Sequence, residues 1–203
     1  LHGDELPKFF KALDDLREQS PVAADAIAVA LWTGARRGNV LTMQWQELSL
    51  DRGTWTIPGA KFKNGRAMTV HLPAPALEIL RRRQDEADGS EWVFPGRRHG
   101  KKLSDPTKPW KAVLKKAGLD DLRLHDLRRT MGSWQAATGS SLPIIGKSLG
   151  HLNQGATAIY ARLDLSAVKE SVDRATSAML QAGGVKLLEA NSTQIEKGND
   201  DAD

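Results

Sequence analysis

Residues 20–34, SPVAADAIAVALWTG, are the segment around which the rest of this chain has to be arranged. Ser20 offers an N-cap, Pro21 suits a first helical position that needs no N–H, and Gly34 offers a stop. The helix they bracket is apolar almost all round. Such a helix has no face to give to water, so it predicts a buried element that other helices must cover.

Those covering helices are legible on both sides. DELPKFFKALDDLREQ puts Leu6, Phe9, Phe10, Leu13 and Leu16 on one stripe, with Asp4 as the expected N-cap. A third helix is expected over RGNVLTMQWQEL after almost no loop. The period then changes to alternation in GTWTIPG and RAMTVHLP, which reads as two strands, with Asn64-Gly65 in the intervening KFKNGR as a hairpin signal. Helix resumes at PALEILRRRQDEA, a short strand-like EWVFP follows, and GRRHGKKLSDPTKP reads as loop. Further helices are expected in WKAVLKKAG, HDLRRTMGSWQAATG, LPIIGKSLG, TAIYARL and LSAVKESVDRATSAMLQAGG. The expected fold class is mainly α with a small antiparallel β-sheet (α+β). Residues 1–182 form one domain, and 183–203 form an acidic tail that loses periodicity and reads as disordered.

Charge narrows the partners. The formal net charge is +4, yet residues 184–203 hold two lysines and five acidic residues, so the remaining chain carries +7. A basic body suggests a polyanion, nucleic acid first, with a solvated lysine-rich face as the bland alternative. There is no cysteine, and the five histidines are scattered, which excludes disulfides and a thiolate zinc site. No apolar run approaches the ~20 residues that span a bilayer, and the first residues do not read as a signal peptide. The expectation is a soluble, cytoplasmic protein with no membrane partner.

Three short signals carry the chemistry. In TGARRGNVL, Arg36 stands just past Gly34 at the mouth of a helix. In LHDLRRT, His125 and Arg128 are i, i+3 and share a helical face. In LGHLNQGATAIYARLD, His151 precedes Tyr160, the sole tyrosine in the chain. Each signal alone fits a structural role. Together they supply two planar guanidinium forks for phosphate oxygens, two imidazole donors and an oxygen nucleophile. No carboxylate cluster is present to hold magnesium, so side chains must neutralise the phosphate. That set fits attack of a tyrosyl oxygen on a phosphodiester, with no metal, no ATP and no cofactor.

The ordered series Arg36, a hairpin lysine, His125-x-x-Arg128, Leu149-Gly150-His151 and Tyr160 resembles the catalytic domain of the tyrosine recombinases, the phage integrase family. The resemblance covers roughly residues 4–182 and implies the fold of that catalytic domain. It implies that Arg36 and Arg128 clamp the scissile phosphate, that His125 and His151 hydrogen-bond its oxygens, and that Tyr160 forms a 3′-phosphotyrosyl link. It also implies a general-acid lysine in the hairpin that protonates the leaving 5′ oxygen. Lys63, next to Asn64-Gly65, fits the expected register, and Lys61 is the alternative. Arg66 does not readily release a proton. Where many members carry glutamate three residues after the first arginine, Asn39 stands here. His2, His71 and His99 match no motif and read as structural or surface residues, and Trp134 as core.

Further implications concern partners. The family acts on double-stranded DNA at an attachment site as a homotetramer, with accessory DNA-bending or directionality proteins, and belongs to mobile genetic elements of bacteria or phages. Its N-terminal DNA-binding domain matches nothing in these residues, so the chain reads as a catalytic-domain fragment. The C-terminal helix, about residues 166–182, can pack in cis or dock on a neighbouring protomer; the resemblance implies cyclic docking in trans for the full-length protein. Two rival readings are a type IB topoisomerase, which shares the residue set, and a non-catalytic basic DNA-binding module.

Overall fold

The apolar helix behaves as its composition demands. In the computed structural model, which describes residues 1–62, 65–150 and 165–185, α2 (Pro21–Thr33) is buried from Ala23 to Thr33. It touches α1 (Leu6–Gln19), α3 (Arg37–Leu41), α4 (Ala74–Asp85), α5 (Thr107–Ala117) and α6 (Asp126–Ala137). Aromatic rings lock the first layer: Phe10 stacks on Trp32 at 5.2 Å, and Phe9 meets Trp110 edge-on at 6.1 Å. The expected class, mainly α with a small antiparallel β-sheet, is the one observed.

Helix starts and breaks differ from the sequence reading in two places. The N-cap of α1 is Glu5, not Asp4, because a turn over His2–Glu5 precedes it: the Glu5 carboxylate accepts from the His2 N–H at 2.7 Å. The third helix stops at Leu41 instead of running to 48. The Thr42 hydroxyl donates back to the Gly38 carbonyl at 2.8 Å, and residues 43–45 turn away to pair with the 91–93 strand-like segment. Val93 N–H donates to Met43 C=O and Trp45 N–H to Glu91 C=O, and only a 3₁₀ turn, Trp45–Glu47, follows.

The sheet is three-stranded and antiparallel, in the order β1 (Leu48–Ser49), β2 (Thr54–Ile57), β3 (Met68–His71). The two strands do form an antiparallel pair, and the β2–β3 ladder closes at Ile57↔Met68, so the connection between them is ten residues long, 58–67. Pro58, which has no N–H to give a ladder, ends β2 and opens a longer loop. Trp55, Ile57 and Val70 carry the sheet's buried face.

The last described helix, α8 (Leu165–Gly183), packs within this chain against α6, α7 (Leu142–Leu149), α1 and β3. Val168, Val172, Ala175 and Met179 recur at helical spacing and are buried. A buried polar network ties the same face down: Ser171 Oγ accepts from Gln135 Nε2 at 3.0 Å, and Ser148 Oγ donates to Gln135 Oε1 at 2.9 Å. His71 on β3 is structural too, with Nε2 2.9 Å from Asp173 of α8. Trp134 is partly buried against the core, while His2 and His99 lie at the surface. The expected helix TAIYARL lies outside the described residues, as does most of the acidic tail. Among the described residues no helix is long and apolar enough to cross a membrane.

Candidate active site

The site is assembled where the C-terminal ends of two helices meet the N-terminal turns of two others. α2 ends at Gly34 and α7 ends at Gly150, both left-handed, with φ of +61° and +63°. Besides the positive φ, each allows a close approach. A Cβ on Gly34 would lie 2.6 Å from Leu149 Cδ2, and one on Gly150 would lie 2.4 Å from Met68 Sδ of β3. The side chains of Leu149 and Met131 against Gly34, and of Met68 against Gly150, fill the space that a Cβ would need, so the ends of α2 and α7 and the strand β3 pack closely there.

Arg128, in the first turns of α6, sits at this junction and is only 5% exposed. Its Nη1 donates to the Gly34 carbonyl at 2.8 Å, and its Nη2 donates to the Leu149 carbonyl. Both acceptors are helix-end carbonyls without an intrahelical partner, at the negative ends of two dipoles, so a buried cation is favoured there. A guanidinium has five N–H donors, and these two bonds leave three for a ligand. Burial, followed by the charge of Arg36, lowers the Arg128 pKa well below its ordinary value, to about 10.

Arg36 occupies the N-cap of α3, two residues beyond the Gly34 turn, and is exposed. Its guanidinium lies over the Phe62 ring at 5.8 Å, a cation–π contact from the β2–β3 loop. Arg36 is thus brought beside Arg128 from the opposite wall. No ion pair from either to a carboxylate occurs among the described residues. His125 caps α6, is exposed, and shares the Arg128 face one turn earlier. Asp126 beside it is occupied, accepting from the Arg123 N–H at 2.8 Å and pairing with Arg129. Asn39 is buried on α3.

The alternative hairpin cation, Lys61, is engaged. Its Nζ donates to Glu47 Oε1 at 2.5 Å and to the Thr42 carbonyl. Lys63, His151 and Tyr160 lie outside the described residues. Three of the six expected site residues, Arg36, His125 and Arg128, are thereby placed on one junction. Among the described residues no group of His, Asp and Glu is arranged to hold a metal ion.

Sequence reasoning missed Phe62 and Glu47. Phe62 had a signal, since one aromatic interrupts the charged run KFKNGR beside the arginine-rich turn. Glu47 had none, because its role depends on the helix ending at Thr42. Arg37, also unassigned, faces Asp105, whose carboxyl is held below its ordinary value first by the Thr107 hydroxyl and backbone N–H, with Arg37 adding a smaller pull.

Comparison with known proteins bears on this geometry. The model of the phage integrase family matches residues 1–166. The integrase of Salmonella phage P22 is 29% identical over 63% of this chain and 35% of its own length. Tyrosine recombinase XerA of Pyrococcus furiosus is 30% identical over 70% of this chain and 51% of its own length. The chain therefore spans between a third and about half of these relatives. Among solved structures, the XerH site-specific recombinase bound to its difH substrate superposes with a TM-score of 0.64 at 22% identity, covering 84% of this chain and 52% of that one. A lambda integrase fragment bound to a core site gives 0.57 at 24%, covering 74% and 56%. Both likenesses support the fold.

Proposed function

The chain belongs to the phage integrase family, and from that premise we propose that it is the strand-cleaving and strand-joining part of a site-specific DNA recombinase. The observation that carries this reading is the Arg36–Arg128 pair. Two guanidinium groups are brought together, one of them buried, with no carboxylate to neutralise them among the described residues. Holding such a pair costs electrostatic energy that a bound phosphodiester would return. The planar forks suit two non-bridging oxygens better than a point charge would.

In the proposed reaction Tyr160 Oη bonds to phosphorus as the P–O5′ bond breaks. Lys63 gives a proton to the departing 5′ oxygen, the phenolic proton passes to solvent, and the 3′ phosphate is left on the tyrosine. Arg36 and Arg128 stabilise charge on the non-bridging oxygens, with His125 and His151 as additional donors. The covalent link conserves the bond for rejoining when a 5′ hydroxyl of another strand attacks, so neither metal nor ATP enters the cycle. Double-stranded DNA at an attachment site, a homotetramer on that DNA, and accessory bending or directionality proteins complete the reading for the whole protein. Structural relatives bound to a difH substrate and to a core site support the DNA partner. The domain is assigned to residues 1–182, followed by the acidic tail.

The test is covalent capture. On a nicked duplex from the DNA flanking the gene, the wild type is expected to leave a protein–DNA adduct on a denaturing gel. Tyr160→Phe removes one oxygen and should bind the duplex while forming no adduct. An adduct at wild-type level from the Phe variant would overturn the assignment of the nucleophile.

A further inference from the structure

We propose that Lys61 is a positioning residue that anchors the outgoing arm of the β2–β3 loop to the helix carrying Arg36. The proposal rests on the reaction just described and assigns Lys61 a task other than proton transfer. Its side chain is 21% exposed, and the Glu47 carboxylate it meets is 3% exposed. Glu47 is fixed on its other oxygen: Oε2 accepts from Trp55 Nε1 at 3.1 Å, and Trp55 is fully buried in β2. The same oxygen lies 3.4 Å from the Gln44 N–H at the start of the 3₁₀ turn. A carboxylate so buried needs a cation, and Lys61 is the cation that reaches it.

The second bond of Lys61 gives the anchor its direction. Thr42 is the C-cap of α3, whose N-cap is Arg36, and its carbonyl accepts from Nζ. A cation at that helix end satisfies an orphan carbonyl and complements the dipole. Lys61 therefore joins three parts: the sheet through Glu47 and Trp55, the end of α3 through Thr42, and its own loop. The next residue, Phe62, lies beneath the Arg36 guanidinium. Lys61 and Phe62 together hold one loop arm along α3, from the Thr42 end to the Arg36 end, and Lys63 follows directly in the chain. An ammonium used in this way has two strong acceptors already and points into the protein. A general acid must instead face the leaving group and release its proton.

The experiment compares Lys61→Met, Lys61→Arg and the double variant Glu47→Gln/Lys61→Met on two nicked duplexes from the DNA flanking the gene. One duplex is all oxygen; the other carries sulfur at the bridging 5′ position. The double variant removes the anchor without stranding a buried carboxylate, so it covers the case in which Lys61→Met fails to fold. Loss of the anchor misplaces the acid, and an ångström of misplacement costs on the order of 10²-fold in rate. That loss is expected for both anchor-free proteins on the oxygen duplex, with DNA binding unchanged. A thiolate leaves without a proton, so the sulfur duplex should return their rates close to wild type. Lys61→Arg keeps a cation and forfeits a titratable acid, and should retain most oxygen-duplex activity.

Three results would overturn the proposal: wild-type rates from the double variant, a loss that sulfur does not repair, or Lys61→Arg as defective as Lys61→Met and equally sulfur-rescued. The last would make Lys61 the acid itself. If the wild type forms no adduct on either duplex, the proposed function fails and the anchor has no reaction to serve. That outcome is distinct from all three.

Discussion

Two clusters of arginine in this molecule are treated in opposite ways. On the far side of α2, Arg17, Arg82 and Arg83 surround Asp25, which is fully buried. Arg82 Nη2 donates to it at 2.8 Å, Arg17 Nε and Arg83 Nη1 at 3.2 Å each, and Asp14 pairs with Arg17 at 2.5 Å. Arg83 is also satisfied by the Val93 carbonyl and by the Phe94 ring. At the other end of the same helix, Arg36 and Arg128 sit beside one another with carbonyl dipoles and an aromatic face, and no carboxylate among the described residues. The first cluster is complete within the protein. The second keeps donors and net charge in reserve for an anion, and that difference separates a structural arginine from a candidate catalytic one more clearly than burial does.

The comparison breaks most readily at Asp25. Asp25→Ala strands Arg83 in the interior, and removing one partner of a buried ion pair costs about 3–5 kcal/mol. Denaturant unfolding should show a loss of that size. A loss under about 1 kcal/mol would mean that the Asp25 cluster is not structural in the sense argued, because exposed pairs are worth no more than that.

Arg36→Ala should behave in the reverse manner. The side chain is exposed and repels Arg128, so unfolding free energy should move by less than about 0.5 kcal/mol, as for other surface changes. Cleavage of the oxygen duplex should fall about 10²–10³-fold, as when one preorganised donor to a developing oxyanion is removed. Loss of stability equal to that of Asp25→Ala would place Arg36 in the structural class.

The smallest effect is a titration. The folded-state pKa of Arg128, about 10, lies well below its unfolded value because of burial first and the Arg36 charge second. For a cation this means that the charged form is penalised by folding at every pH below 10. The penalty is relieved as pH rises through 10, because the native state then binds fewer protons than the unfolded one. Between pH 9 and 10.5 the stability of wild type relative to Arg128→Gln should therefore rise by something under about 1 kcal/mol. A relative fall over that window would contradict the buried, anion-free environment assigned to Arg128.

Much of this was legible in the chain because it rests on local rules. The buried α2 followed from its unbroken apolar surface, and Gly34 as its stop from the need for a left-handed residue. Arg36 and Arg128 were identifiable as a pair through family order, since their spacing of 92 positions says nothing by itself. What could not be read was decided by tertiary contacts. The break at Thr42 arises from pairing with residues 91–93, and the engagement of Lys61 depends on that break. Asn64-Gly65 signalled the antiparallel β2–β3 pair, while the length of the connection was set by Pro58, which ends the ladder at Ile57↔Met68. The apolar stripe of α8 (Val168, Val172, Ala175, Met179) marked it as a helix with one buried face, though the stripe alone names no partner surface.

The most direct test of an arginine pair kept for a phosphate is to remove charge from the phosphate itself. A nicked duplex with an uncharged methylphosphonate at the scissile position has one anionic oxygen fewer to clamp. If Arg36 serves that charge, the 10²–10³-fold deficit of Arg36→Ala expected on ordinary DNA should shrink to within about tenfold of wild type on the methylphosphonate, since the oxyanion interaction is gone from both. An Arg36→Ala protein that remains as deficient on the methylphosphonate as on the phosphodiester would show that Arg36 does not neutralise the scissile phosphate.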